Sequence, residues 1–314
     1  MSIVDFSSKL AAVNRAYQTA FDGLRDDPPG TYQLFTQVDG SPTGTSANIG
    51  FTDPLAPLRV LNRGESKVFD DMRALGASYD MEVLYKGTTI SRRDVEHDLT
   101  GRVSRGLQRF VSEGVLLVDE RAWQLLLANT LTGPDGVALL SDSHPFGSGG
   151  ATWDNLTTDA LSFSSYNAAK AAMRNFKREN GTPFNISPTH LFVGPDLERT
   201  AKEITGADRP VPFSASAQDA TSSIVAVTSI GNVYQGDVTV VVVPWITDAQ
   251  EWLLMDLGKA TAKPWYAQVA PIREEMPEAG DTVIRQRDEF EYAINCDVIM
   301  GPGHPQLVYG RLDA

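Results

Sequence analysis

YDMEVLYKGTTISRRDVEHDLTGR occupies residues 79–102, and the change of period inside it decides how the chain is read. From Tyr79 to Ile90 apolar and polar residues partly alternate and β-branched residues gather, which suits a strand with one face exposed. From Asp94 the spacing lengthens. Val95, Leu99, Val103, Leu107, Phe110 and Val111 line one side of a helix that the pattern carries to Ser112. Asp94 and Glu96 near its start and Arg105 and Arg109 near its end complement the helix dipole, while Gly101 and Gly106 weaken its interior.

Upstream, Arg59–Asp71 and the 79–90 run read as two antiparallel strands joined by Met72–Ser78. Leu58, Val60, Val68, Met81, Val83 and Tyr85 are too few to form a core, and a two-stranded ribbon is marginal in water. Residues 51–90 must therefore lie on another surface, of the same chain or of a neighbour. Before them, Phe6, Leu10, Val13, Tyr17, Phe21 and Leu24 share a helical face, and Asp26-Asp27-Pro28-Pro29-Gly30 stops the helix. Thr31–Gly50 is polar and rich in turn residues. Residues 1–50 thus read either as an arm on a loose tether or as a first helix packed on its own domain.

Downstream, a helix over Asp119–Thr130 turns Trp123, Leu126 and Leu127 inward and closes at Gly133-Pro134-Asp135-Gly136. After an irregular stretch to Leu161, a helix over Ser164–Glu179 carries Tyr166, Ala169, Met173 and Phe176 on one face, with Asn180-Gly181 as its C-cap. A strand at His190–Val193, a turn at Gly194-Pro195 and a helix from Asp196 with Leu197, Ala201 and Ile204 inward open a second compact region, placed at 181–245. Asp208–Ser223 reads as a surface loop. Strands are expected at 233–234, 238–243, 252–257, 265–269, 290–300 and 307–309; the apolar 238–243 run reads as buried on both faces, and 271–287 as an exposed acidic excursion.

The 314 residues carry 27 Lys and Arg against 40 Asp and Glu, a formal charge of −13 with no basic block, so sequence-specific DNA binding is disfavoured. One cysteine, Cys296, excludes an internal disulfide and a cysteine-pair zinc site. Asp5, Ser7, Ser8 and Lys9 interrupt what a signal peptide keeps apolar, and no run approaches the roughly 20 apolar residues of a membrane span. A soluble protein made in a cytoplasm, with no membrane partner, is expected.

Catalytic signatures are weak. His97, His144, His190 and His304 lack an HExxH spacing; Ser141, Asp142, Ser143 and His144 hold the atom types of a triad, but contiguous loop residues rarely place base, nucleophile and orienter in reach of one another. Gly147-Ser148-Gly149-Gly150 has no following Lys and leads into no helix, so it is no phosphate loop. Asp26-Asp27, Asp70-Asp71, Asp119-Glu120 and Glu274-Glu275 read as solvated faces, and Arg92-Arg93 followed by Asp94, Glu96 and Asp98 as an intersubunit salt-bridge patch. No catalytic, cofactor-binding or metal-ligating residue is assigned.

Residues 79–102 resemble the Mu-like bacteriophage major head protein family, in which a strand ending in an acidic-threonine-isoleucine group leads to Arg-Asp-x-Glu and an acidic-Leu-x-Gly turn into a long helix. GPDGVALLSDSHP at 133–145, GTPFNISP at 181–188 followed by Leu191-Phe192-Val193, and Asn232-Val233-Tyr234-Gln235-Gly236 leading into the 238–244 strand continue the likeness in order across about 50–300. Residues 1–50, 205–230 and 271–288 depart from it. The resemblance implies an α+β chain of the HK97-type capsid fold: an N-terminal arm (1–50), an extended β-hairpin loop (51–90), a peripheral domain with a long spine helix (91–180 and 246–314, some C-terminal strands returning to the axial domain) and an axial domain (181–245). It implies a non-enzymatic shell protein that assembles as pentamers and hexamers around double-stranded DNA. Scaffolding, portal and decoration proteins are its expected partners, and its expected place is the virion, after assembly in the bacterial host cytoplasm. Two alternatives stay open: an encapsulin-like nanocompartment shell around protein cargo, and a soluble hydrolase with a site near His144.

Overall fold

The computed structural model describes residues 3–25, 30–54, 67, 72–98, 100–146, 151–178, 181–206, 232–259, 262–277 and 287–313. In chain order come α1 (Ile3–Arg25), α2 (Tyr32–Phe35), β1 (Thr36–Val38), β2 (Ser46–Pro54), β3 (Met72–Asp80), β4 (Glu82–Ser91), α3 (Arg92–His97), α4 (Arg102–Gly114) and α5 (Leu117–Ala128). Then follow β5 (His144–Phe146), β6 (Ala151–Trp153), α6 (Phe163–Asn175), β7 (His190–Val193), α7 (Glu198–Thr205), β8 (Thr239–Val242), β9 (Trp252–Met255), β10 (Trp265–Val269), β11 (Arg273–Glu275), β12 (Glu289–Pro302) and β13 (Val308–Arg311). The fold is α+β, and its contacts divide into two units: 1–49 with 78–125 and 265–301, and 50–77 with 126–264 and 302–314.

The first unit is built on β12. Phe290, Tyr292, Ile294, Cys296, Val298 and Met300 alternate along it and are all buried, the period-two signature of a strand facing a core. β4 pairs antiparallel with it from Glu82↔Val298 to Ser91↔Glu289, β11 pairs antiparallel at 293–295, and the order β1-β10-β12-β11 completes the sheet. The first strand of the expected pairing of 59–71 with 79–90 lies, apart from Lys67, outside the described residues. Met72–Ser78 is itself strand, β3 pairs with β2, and the 82–91 strand belongs to the β12 sheet; residues 55–66 and 68–71 lie outside the described residues.

The long helix expected over 94–112 is two helices. The Asp98 carboxylate accepts the backbone N–H groups of Arg102 (2.9 Å) and Val103 (2.8 Å), capping the start of α4, and Gly101 takes a left-handed φ of 67° that turns the chain between α3 and α4. These bonds hold the Asp98 carboxyl below its ordinary range. The inward stripe is as expected, with Val95, Leu107 and Val111 buried. At the far end a Cβ on Gly114 would come within 2.5 Å of Ile294 Cδ1, so a larger residue there would have to displace the end of the Ile294 side chain.

Of the two readings of the first segment, packing on its own chain describes α1. Val13, Tyr17 and Phe21 are buried, Tyr17 Oη donates to the Ala293 carbonyl (2.9 Å) and Tyr292 Oη to Asn14 Oδ1 (2.6 Å). Residues 31–50 are not the coreless stretch expected. Tyr32 and Phe35 are buried, Phe35 packs on Trp123 at 4.7 Å, and β1 joins the sheet parallel to β10.

The second unit carries a sheet of order β13-β9-β7-β8, with β7 and β8 parallel and β7, β9 and β13 antiparallel. Tyr166, Ala169 and Met173 of α6 and Ala201 and Ile204 of α7 pack with Leu191, Val193, Trp252 and Leu254. This core draws on residues outside the expected 181–245 span, since β9 and β13 supply two of its four strands. The run at 238–243 is not buried on both faces: β8 is an edge strand with Thr239 exposed and Val240, Val241 and Val242 half-buried, whereas every residue of β9 is buried. Val233–Tyr234 lies in a turn, Asp208–Ser223 falls outside the described residues, and the 271–287 excursion contributes β11 to the first unit's sheet. α6 ends at Asn175, before the expected cap, and Gly181 instead turns a short hairpin with a φ of 77°, its N–H bonded to the Arg178 carbonyl.

Leu107→Asp places a carboxylate in the first unit's core and is expected to cost about 3–5 kcal/mol, against about 0.5 kcal/mol or less for exposed Arg105→Ala. Thermal melting checks both; equal melting temperatures for the parent and Leu107→Asp would refute the assigned face. Asp98→Ala is expected to speed hydrogen exchange at the Arg102 and Val103 amides. Because the native carboxyl titrates lower than the unfolded one, its contribution is intact above the ordinary Asp range of about 3.9 and is lost as pH falls through the native value. The exchange difference between parent and variant should vanish in acid.

Candidate assembly surface

The residues with catalytic potential are engaged inside the fold. His144 is fully buried and stacks on Trp153 at 4.4 Å. Its Nδ1 lies 2.6 Å from Asp135 Oδ2 and its Nε2 3.1 Å from Asn155 Oδ1. Asn155 Nδ2 donates to the carbonyls of Leu139 (2.8 Å) and Pro305 (2.9 Å), which orients the amide so that Oδ1 accepts from Nε2. No ring nitrogen is left to take a proton from a nucleophile. The Ser141 and Ser143 hydroxyls face each other at 3.3 Å instead, which removes the geometry the hydrolase alternative requires.

Other candidates are also structural. Asp119 is buried, where a solvated face was expected, and its Oδ1 accepts the backbone N–H groups of Thr31 and Tyr32 at 2.7 Å each. Glu275 accepts from Asn295 at 2.6 Å. Arg92 pairs within its own chain, with Glu96 (3.0 Å) and Asp288 (3.5 Å), rather than awaiting another subunit. Burial pushes the Cys296 thiol up to about 12, leaving it protonated. Asp26-Asp27, Asp70-Asp71 and Gly147–Gly150 lie outside the described residues. Among the described residues no three His, Cys, Asp or Glu side chains gather as metal ligands, and no helix is long and apolar enough to cross a membrane.

What the first unit offers outward is a strand edge. Among the described residues β4 pairs only with β12, and none of them covers its other edge. Val83 is 57% and Tyr85 79% exposed, large apolar side chains on the strand's outward face. On the strand's opposite face, Arg121 grips Glu82 through two bonds of 2.7 and 2.8 Å and holds its carboxyl below the ordinary range, and Lys86 pairs with Glu113 at 3.3 Å. Between β4 and α3–α4 runs a groove of about 770 Å³ lined by Thr88, Ile90, Val103, Leu107 and Phe110 among others. Sequence alternation marked Val83 and Tyr85 as one face, but only the pairing with β12 shows that this face is left uncovered.

No curated protein matches the chain. Solved capsid structures share its fold. The capsid of Ralstonia phage GP4 aligns with a TM-score of 0.56 at 12% identity, covering 88% of this chain and 86% of that one. The procapsid of bacteriophage JBD30 aligns at 0.54 and 18% identity over 100% of this chain and 77% of that one. The JBD30 capsid decorated with minor capsid protein trimers aligns at 0.54 and 19% identity over 70% and 91%. At such identities the likeness is one of fold. The family is fixed by sequence, because residues 76–309 match the model described as phage capsid protein, and the chain belongs to that family of structural, non-enzymatic shell proteins.

Proposed function

We propose that the chain is the Mu-like major capsid protein of a tailed bacteriophage or prophage, assembling through pentamers and hexamers into an icosahedral HK97-type shell around double-stranded DNA. The observation that carries this reading is the family match across residues 76–309, which spans parts of both units. Physical features support it. The β2–β3 ladder is a two-stranded sheet of its own, and a pair of that kind gains stability only by lying on another surface. Exposed Tyr85 and Val83 supply apolar area that burial between copies would reward by about 25 cal/mol per Å².

In this reading the extended loop narrows from 51–90 to the β2–β3 ladder and its connecting residues, since 82–91 is a sheet strand. The peripheral domain corresponds to the first unit with its split α3–α4 helix, and the axial domain to the α6, α7 and β7–β9 core. Scaffolding and portal proteins are the expected assembly partners. A decoration protein is the expected outer one, by analogy with the minor capsid trimers on the JBD30 capsid.

Purified protein is expected to form rings of five or six subunits, or closed shells, by mass photometry and negative-stain microscopy. A strict monomer at high concentration, with or without a scaffold, would count against the reading. Replacing 55–71 by a short Gly/Ser bridge from Pro54 to Met72 should leave the melting transition nearly unchanged, because closure entropy varies slowly with loop length. The same variant should fail to assemble in sedimentation velocity. Normal shells from it would remove the loop's intersubunit role. Tyr85→Asp should keep the monomer fold, since its side chain is exposed, and weaken assembly at least tenfold, about 1.4 kcal/mol for each contact it disrupts.

A further inference from the structure

Beyond the ladder of β9 and β13, the chain is fastened by one buried carboxylate. Along that ladder Val308, Tyr309, Gly310 and Arg311 lie in register with Met255, Leu254, Leu253 and Trp252. On the other side of β13 the Gly310 N–H donates to the Asn155 carbonyl (3.1 Å), and the Gly310 carbonyl accepts from the Thr157 N–H (2.8 Å). Past Arg311 the backbone pairing stops. The N–H of Asp313 goes to a side chain instead, donating to Glu251 Oε1 at 3.3 Å. Glu251 stands just before β9 and is only 7% exposed.

The charges around Glu251 do not balance. Asp248, in the turn before β9, and Asp313 act on it as like charges, and Arg311 opposes them. That guanidinium is bound to Asp313, Nε to Oδ1 and Nη2 to Oδ2 at 3.0 Å each. Three carboxylates thus share one cation, and the most buried of them is not the one the cation grips. Burial raises the Glu251 carboxyl above the ordinary Glu range; the Asp313 N–H pulls it back, Asp248 and Asp313 add to the rise, and Arg311 acts against it. An ionised carboxylate is costly in such a place, whereas a protonated one keeps an oxygen for the Asp313 N–H without the repulsion.

We propose that Glu251 is a proton-operated latch: protonated, it fastens residues 311–313 onto the start of β9, and ionised, it lets them loosen. A carboxyl that titrates higher in the latched chain than in the released one binds its proton more tightly when latched. The latch is therefore at full strength below the ordinary Glu range of about 4.3 and weakens as pH rises through the latched value. It belongs to a single chain and stands whether or not copies assemble.

The test is hydrogen exchange, read by mass spectrometry on the peptide that carries residues 311–313 of the full chain, for the parent and Glu251→Gln at the same pH so that intrinsic exchange cancels. Glutamine keeps the size and the acceptor oxygen of a protonated Glu251 and cannot ionise. At about pH 7.5 the variant should exchange about threefold or more slowly than the parent, and at about pH 4 the two should coincide. Asp248→Asn, which removes one like charge and leaves Glu251 in place, should fall between them at the higher pH. Sedimentation velocity at each pH keeps the comparison within one assembly state. Equal exchange of parent and Glu251→Gln at both pH values would overturn the latch, because a plain hydrogen bond to Asp313 survives the substitution. So would faster exchange in the variant at about pH 7.5, which would make the ionised carboxylate the better fastening, or a difference that persists unchanged in acid, where both side chains are neutral.

Discussion

The constraint on which the first unit depends is the alternation along β12. One face of this strand, from Phe290 to Met300, is buried, and a register slip by a single residue would turn that whole set outward. Everything else in the unit takes its position from it. β4 and β11 pair with it, Ile294 is the side chain over which Gly114 lets α4 settle, and Ala293 and Tyr292 hold α1 through the hydrogen bonds with Tyr17 and Asn14. The split between α3 and α4 follows from the same demand, since the chain leaving β4 must turn back before α4 can descend onto β12, and Asp98 with Gly101 makes that turn.

The second unit solves a different problem, a long stretch between α5 and α6 whose one ladder among the described residues is the short antiparallel pairing of β5 with β6. Buried and half-buried polar side chains do the rest. Asn129 exchanges two hydrogen bonds with Leu140, Asn155 joins Ser141, Leu139 and Pro305, and His144 locks Asp135 to Asn155. Such groups are stabilising only when fully satisfied, because a buried donor or acceptor left unpaired costs about 1–3 kcal/mol. The atoms that imitated a catalytic triad in the sequence are thus the fastening of a loop.

Local periodicity made most of the elements legible: α5, α6, α7, β7, β9, β10 and β12 lie close to where hydrophobic spacing put them, and Leu107, Trp123, Tyr166 and Ala201 face inward as expected. Partnership was not legible. A strand pattern states which face is apolar but not which strand lies beside it, so β4 was assigned to a hairpin when its partner lies some 200 residues away. β8 was over-read for a related reason, because an apolar run broken by a single Thr looks the same in an edge strand as in a central one. The break at Asp98 escaped because periodicity ignores a side-chain acceptor that competes for backbone donors.

The ion pairs along β4 bear on how such a chain survives its own synthesis. A protein produced in bulk with an open row of backbone donors and acceptors risks polymerising indiscriminately, any edge onto any other. Glu82 and Lys86, tied to Arg121 and Glu113, put charge on the face of β4 opposite Tyr85 and Val83, and leave those two as apolar contacts that need a shaped partner rather than another flat edge. In the assembly proposed above, the same strand would join subunits while its charge keeps it from pairing with any other edge before the correct neighbour arrives.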